Sequence, residues 1–250
     1  PGPNTVRYGG NTSCVEVRAG DSVMIFDAGS GIRHLGDTLV SEGEVAADLF
    51  LSHFHWDHIQ GLPFFRPLYE PETTMRVHGA TQGTADVQTL IAGQMGPIYF
   101  PVPFEALSAN LDFRDLDDER VAVGPAEVTP HRVRHPLRTY GFRVRCGDSA
   151  IAYIPDNELV GGHYDMPSGW YESFCRYLEG VDVLIHDAMF TDEEYRRFAG
   201  WGHSTFRDAV RLAEDAGVRR LLLFHHAPER TDAELDEIVD DLRNDLSRRN

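Results

Sequence analysis

The chain has 250 residues, of which 42% are hydrophobic and 25% charged, values of a globular protein long enough to bury a large core. Its formal net charge is −17, and all 23 of its basic residues are arginines, none lysine. That balance argues against broad, charge-driven nucleic-acid binding, but leaves room for a small anionic substrate, because bound cations supply local positive charge.

Cys14, Cys146 and Cys175 form no C-x-x-C pair, and their odd number suggests no disulfide framework. A reducing compartment fits them, and the expected location is cytoplasmic. No apolar run is long enough to span a membrane, and no signal peptide is present. A start at Pro1 rather than methionine leaves room for residues or a leader ahead of it.

Taken in order, Thr5–Tyr8, Ser13–Arg18 and Val23–Asp27 read as short strands separated by glycine turns. Asp27-Ala28-Gly29-Ser30-Gly31 leads into a helix through about Val40, within which His34 reads as structural. The apolar run Leu49-Phe50-Leu51 is a buried strand. Behind it come His53, His55, Asp57 and His58, three histidines and an aspartate within six residues. Side chains alternate along an extended segment, so His53 and His55 point the same way. Asp57 and His58 open a short helix. Imidazole nitrogen and carboxylate oxygen are ligands for zinc or a similar ion. One metal can take the His53/His55 pair while a second sits beside Asp57 and His58. A histidine-rich loop with Trp56 as a packing residue is the bland alternative, and the dense spacing at a strand end weighs against it.

Pro63–Pro71 should be irregular, Met75–Gly79 a strand and Thr84–Ala92 a helix. Gly93–Leu107 concentrates large apolar residues among prolines, as a loop packed on the core or as a substrate lid or dimer contact. Asn110–Phe113, Arg120–Val123, Ala126–Val133, Tyr140–Arg145 and Ala150–Ile154 follow as the strands of a second sheet. Leu159–Gly169 is a glycine-rich loop, Trp170–Leu178 a helix and Val181–Ile185 a buried strand. Gly202-His203-Ser204-Thr205 opens a helix with the apolar face Phe206, Ala209, Val210 and Ala213, closed by Gly217. Arg220–Phe224 is the last strand. Thr231 and Glu234 form a capping box for a C-terminal helix striped by Leu235, Ile238, Val239, Leu242 and Leu246. Strands alternating with helices, without linker or repeat, predict one layered domain over residues 1–250.

The His-x-His-x-Asp-His run at 53–58 resembles the signature of the metallo-β-lactamase superfamily. His186-Asp187-Ala188-Met189, then Gly202-His203-Ser204-Thr205, then the Phe-His-His-Ala-Pro-Glu-Arg run at 224–230, resemble its ribonuclease Z and cyclic-nucleotide phosphodiesterase branch. There the first of these motifs reads His-Glu-Ala-Thr and the second His-Ser-Thr. The resemblance implies an α/β fold: an αββα four-layer sandwich of two mixed β-sheets flanked by helices, with two divalent metal ions between the sheets. Zinc is the expected metal, and manganese tolerates the same ligands. One metal would take His53, His55 and His135, the last of these lying just before a Tyr-Gly-aromatic-Arg strand, with His131 as the fallback. The other would take Asp57, His58 and His225, with Asp156 bridging both. Asp27 is either a support for the metal loop or a turn aspartate ending its strand. No role falls to His226.

The implied reaction is hydrolysis of a phosphodiester by metal-activated hydroxide. His203 would be the general acid, held by Asp187 where the family has glutamate, and Asp57 would help steer the water. Amides at the start of the Ser204 helix would help hold the phosphate. Only about 30 residues separate Asp156 from His186, too few for the tRNA-gripping arm of ribonuclease Z. A small phosphodiester, most simply a cyclic nucleotide, is therefore the expected substrate of a homodimeric enzyme. A ribonuclease Z-like nuclease, a lactone- or thioester-cleaving metallohydrolase and a non-catalytic binding module are the alternatives. The last would usually have lost ligands, and here all seven positions are filled.

Overall fold

The computed structural model describes residues 2–249 and builds them into two facing β-sheets flanked by helices. The first sheet holds β1 (Val15–Ala19), β2 (Ser22–Phe26), β3 (Ala46–Phe50), β4 (Thr74–Gly79) and β5 (Asn110–Asp115), in that spatial order. β1 and β2 are antiparallel, and the remaining neighbours are parallel. The second sheet runs β11 (Arg220–Phe224), β10 (Val183–Asp187), β9 (Ser149–Ile154), β8 (Tyr140–Cys146), β7 (Ala126–Arg132), β6 (Val121–Val123). Its β9, β10 and β11 are parallel, and the rest are antiparallel.

The layering follows from strand alternation. In β2, Met24 and Phe26 face the other sheet while Ile25 faces the helices. Phe50 in β3 joins the inter-sheet side and Leu49 the helix side. Phe26, Phe50 and Phe142 meet between the sheets with ring centroids 5.3–5.6 Å apart. Sheets about 10 Å apart need side chains of this size to fill the space. Outside the first sheet lie α1 (Ile32–Glu42) and α3 (Val87–Gln94), and outside the second α4 (Trp170–Leu178) and α6 (Phe206–Asp215). A short α2 (Trp56–Ile59) follows β3, α5 (Asp192–Phe198) precedes α6, and α7 (Asp232–Arg249) covers α6. Among the described residues no helix is long and apolar enough to cross a membrane.

Several expectations need correction. Thr5–Tyr8 is no strand: Pro3–Thr5 is a 3-10 turn, and the Arg7 and Tyr8 amides donate to Asp232 rather than to a ladder. Asn110–Phe113 belongs to the first sheet, because it lies parallel to β4 in register Thr74↔Asn110. The helix expected from Thr84 begins at Val87, where the Asp86 carboxylate caps it by accepting from the Thr89 amide at 2.8 Å. Pro63–Pro71 is organised as the 3-10 turns Leu62–Phe64 and Arg66–Tyr69. In the 93–107 segment Met95 is buried and Phe104 packs on Phe113, while Ile98 and Tyr99 stand exposed. The capping box forms as expected, with Thr231 and Glu234 exchanging hydrogen bonds.

Candidate metal centre and active site

The C-terminal ends of β3, β9, β10 and β11 converge on one edge of the sandwich, the side where parallel strands deliver ligand-binding loops. His53 to His58 follow β3, Asp156 follows β9, Asp187 ends β10 and His225 follows β11. His135 arrives from the loop between β7 and β8. Two backbones pass closely beneath: a Cβ on Gly61 would lie 2.1 Å from the Gly29 carbonyl oxygen, so the loops after β2 and α2 can touch only as glycine.

Two groups of ligand atoms result, each spanning no more than 4.8 Å: His53, His55, His135 and Asp156, and beside them Asp57, His58 and His225. Asp156 also groups with His203 and His225. The Asp156 carboxylate lies centrally, with His58 Nε2 at 3.0 Å, His225 Nε2 at 3.4 Å, His53 Nε2 at 3.5 Å and His135 Nε2 at 3.7 Å. All seven expected positions are therefore brought together. His131 is not among them: its ring packs on Phe174 and Tyr177, and its Nδ1 bonds the Arg132 carbonyl.

Outer contacts orient the rings. His58 Nδ1 bonds Asp27 at 2.8 Å, His135 Nδ1 the Gly202 carbonyl at 3.0 Å and His53 Nδ1 the Ser52 hydroxyl at 3.0 Å. That leaves their Nε2 atoms facing inward. Histidine ligands are commonly aimed this way, through the second ring nitrogen. His53 Nε2 and Asp156 Oδ1 are buried and have no partner with hydrogen-bond geometry. Nitrogen and carboxylate donors orphaned around one point fit divalent cations, two of which this donor set can hold.

Electrostatics agree with that donor chemistry. Burial drives His53 well below the ordinary histidine range and His135 down to about 4, keeping their lone pairs free. Burial pushes the other way on Asp156, yet the neighbouring His225, His58 and His53 hold its carboxyl well below the usual range. Asp57 is likewise held down by hydrogen bonds from His225 and His58 despite its burial. The ligand carboxylates are thus ionised and His53 and His135 neutral, as metal binding requires, whereas at His58 and His225 burial is outweighed by Asp156 and its neighbouring carboxylates and both rings are raised, so a cation there would have to displace their protons.

Asp27 has a clear part. It is fully buried at φ 60°, and it accepts from the Ser52 amide (2.7 Å), the Ser52 hydroxyl (2.9 Å) and the Tyr153 hydroxyl (2.8 Å) besides holding His58. It supports the metal loop as well as ending its strand. Asp27→Ala is expected to cost about 3–5 kcal/mol in urea unfolding, because buried donors and a buried imidazole lose their partner. Asp27→Asn, which tolerates the left-handed backbone, should cost less. A loss for Asp27→Ala within the about 0.5 kcal/mol typical of surface substitutions would refute this role.

His203 stands at the edge of the cluster. Its Nδ1 meets Asp187 at 3.0 Å, and its Nε2 lies 3.9 Å from Asp156. The shorter aspartate therefore makes the contact. Burial lowers the His203 imidazole, but Asp187, with help from Asp156 and Asp57, outweighs it and lifts the ring to about 9. Asp187 also accepts from the Asn157 and Ser204 amides. Of the amides at the start of α6, that of Ser204 is thereby used and is not free to hold a phosphate. The Phe206 and Asp208 amides are also taken, by Phe190 and by the capping Thr205 hydroxyl. His186 is buried behind the site, bonded to Asn157 and to the Asp187 carbonyl, and His226 stacks on Phe206. Sequence reasoning missed Ser52, Tyr153, Asn157 and Glu158. For the last two the available signal was an unbroken polar run directly after a buried strand.

Comparisons with known proteins identify the family and the fold. The sequence model of the family described as "Beta-lactamase superfamily domain" matches residues 23–226. Ribonuclease Z of Shouchella clausii (strain KSM-K16) is 26% identical over 262 residues, covering 86% of this chain and 81% of its own length. The metallo-beta-lactamase fold protein YhfI from Bacillus subtilis superposes with a TM-score of 0.67 at 23% identity, covering 90% of this chain and 83% of that one. A diphosphatase from the PhnP family gives a TM-score of 0.63 at 19% identity, covering 90% and 78%.

Proposed function

The chain belongs to the beta-lactamase superfamily as a metal-dependent hydrolase of its ribonuclease Z-like branch, and from that premise we propose that it cleaves a small phosphodiester, a 3′,5′-cyclic nucleotide being the expected case. The observation that carries this reading is His203, held through Nδ1 by Asp187 with Nε2 turned toward Asp156 at the rim of the metal cluster. An alkoxide leaving phosphorus needs a proton, and a positioned imidazolium supplies one.

His53, His55 and His135 would hold one cation and Asp57, His58 and His225 the other, with Asp156 between them; zinc suits the set and manganese is compatible with it. Bound there, the cations supply charge neutralisation at phosphorus and ready deprotonation of water near neutral pH. The protein's own groups do the rest. Asp57 would help orient the attacking water, Asp187 keeps His203 in one tautomer and one rotation, and His203 delivers its Nε2 proton to the departing oxygen. A cleft of about 480 Å³ beside Asp57 and His225 supports a small substrate. So does the 159–169 segment, which folds back by way of Arg134 contacts to Leu159 and Gly161. Exposed Phe64, Ile98 and Tyr99 are the surface from which the proposed homodimer would be built.

The test is turnover of 3′,5′-cyclic nucleotides, linear dinucleotides, a lactone and a thioester by metal-replete protein, before and after chelation. Cyclic-nucleotide hydrolysis lost on chelation and restored by zinc or manganese is the expected result. Hydrolysis of the lactone or thioester alone would sink the phosphodiesterase reading. The likeness to ribonuclease Z favours one second reading, a nuclease, and cleavage of a precursor tRNA in preference to the cyclic nucleotides would establish it.

A further inference from the structure

Asp156 is followed by two more polar residues, Asn157 and Glu158, and all three are buried. The Glu158 carboxylate collects four donors. Oε1 accepts from the Gly200 amide at 2.8 Å and from the Tyr195 hydroxyl, whose single proton it shares with the Val160 carbonyl. Oε2 accepts from the Gly202 amide at 2.9 Å and from the Tyr164 hydroxyl. Among the described residues no arginine pairs with it; the nearby Arg134 guanidinium is bonded to the carbonyls of Leu159, Gly161 and Gly162. A carboxylate out of water is tolerated only when its lone pairs are filled. Here two of the filling groups are amides of a single turn, so the carboxylate and the turn fix each other.

That turn touches both halves of the site. The Gly202 carbonyl accepts from His135 Nδ1 at 3.0 Å, and a Cβ on Gly202 would lie 2.1 Å from that nitrogen. At φ 93° Gly202 also occupies backbone space that other residues rarely adopt. His203 is the next residue. We propose that Glu158 is a positioning residue of the reaction: by gripping the Gly200 and Gly202 amides it sets the rotation of His135 and the placement of His203. The part concerning His203 rests on the phosphodiesterase reading above. Neither neighbouring chemistry can substitute. A glutamine would turn an NH₂ group against two of the donors, and an aspartate is one methylene too short to keep all four.

The experiment compares wild type, Glu158→Gln and Tyr195→Phe in two measurements. Competition with a chromophoric chelator gives zinc affinity without reference to turnover. The ratio of rates on a 3′,5′-cyclic nucleotide and on bis-p-nitrophenyl phosphate reports the proton donor, because p-nitrophenolate leaves without a proton and the nucleoside alkoxide does not. Glu158→Gln is expected to lower zinc affinity about 10- to 100-fold, as the loss of an outer partner of a metal ligand does, and to lower the rate ratio. Tyr195→Phe keeps both amide contacts and should stay close to wild type in both. An unchanged affinity or an unchanged ratio in Glu158→Gln overturns the proposal, and so does an equal effect of Tyr195→Phe, which would make the role one of loop packing. Should Glu158→Gln not yield folded protein, Glu158→Asp carries the same two measurements. If wild type hydrolyses neither diester, the functional reading falls, while the affinity measurement still decides the grip on His135.

Discussion

Replacing His203 by alanine is expected to slow cleavage of a cyclic nucleotide by about 100- to 10,000-fold, the usual worth of a positioned general acid. Hydrolysis of bis-p-nitrophenyl phosphate should fall far less, since its leaving group departs as a stable anion. The physical reason is the pairing with Asp187 at 3.0 Å. Burial lowers the ring, and that carboxylate, with help from Asp156 and Asp57, outweighs burial and lifts it to about 9, the direction a general acid needs. His203 also groups with Asp156 and His225, which makes metal content the necessary companion measurement. A variant that keeps its metal and loses only the reaction with the poor leaving group fits the acid role. Equal loss on both esters together with loss of metal would show that His203 is a ligand instead.

Asp156→Ala should have the larger effect on the metal centre itself. The carboxylate has four imidazoles within 3.0–3.7 Å and is almost wholly buried. Removing it takes away the group proposed to lie between the two cations. Bound metal, measured by inductively coupled plasma mass spectrometry, is expected to fall. Phosphodiesterase activity should drop by more than the about 10- to 100-fold that loss of an outer hydrogen-bond partner costs. The apo variant should also differ from apo wild type. Burial lowers His58 and His225, but in the native protein Asp156 is the first charge to raise both. Without it, two interior imidazoles each lose a countercharge, although His58 keeps Asp27 at 2.8 Å and His225 keeps Asp57 at 3.1 Å, so the apo variant is expected to be the less stable of the two. Full metal content and near-native turnover in Asp156→Ala would refute the bridging role.

Much of this protein could be read from local pattern. His53, His55, Asp57 and His58 lie within one short stretch, so the side-chain alternation of an extended loop followed by one helical turn already brings them together. The Trp170–Leu178 helix and the Thr231–Glu234 capping box were equally legible, because periodicity and caps depend on residues three or four apart.

What only the tertiary structure decided involves partners distant in sequence. Asn110–Asp115 reads as a strand on its own residues, yet only its pairing with Thr74–Gly79 assigns it to the first sheet. Thr5–Tyr8 looks extended, but Asp232 claims its amides from 224 or more residues away. His131 and His135 are indistinguishable as residues. β7 sends the first against Phe174 and Tyr177, and the loop that follows carries the second beneath the Gly202 carbonyl. Asp27 and Glu158 are single carboxylates in the sequence, and each acquires a role only where four donors close around it. Periodicity tells which way a side chain points; what it meets there is settled by the packing of segments that the sequence keeps far apart.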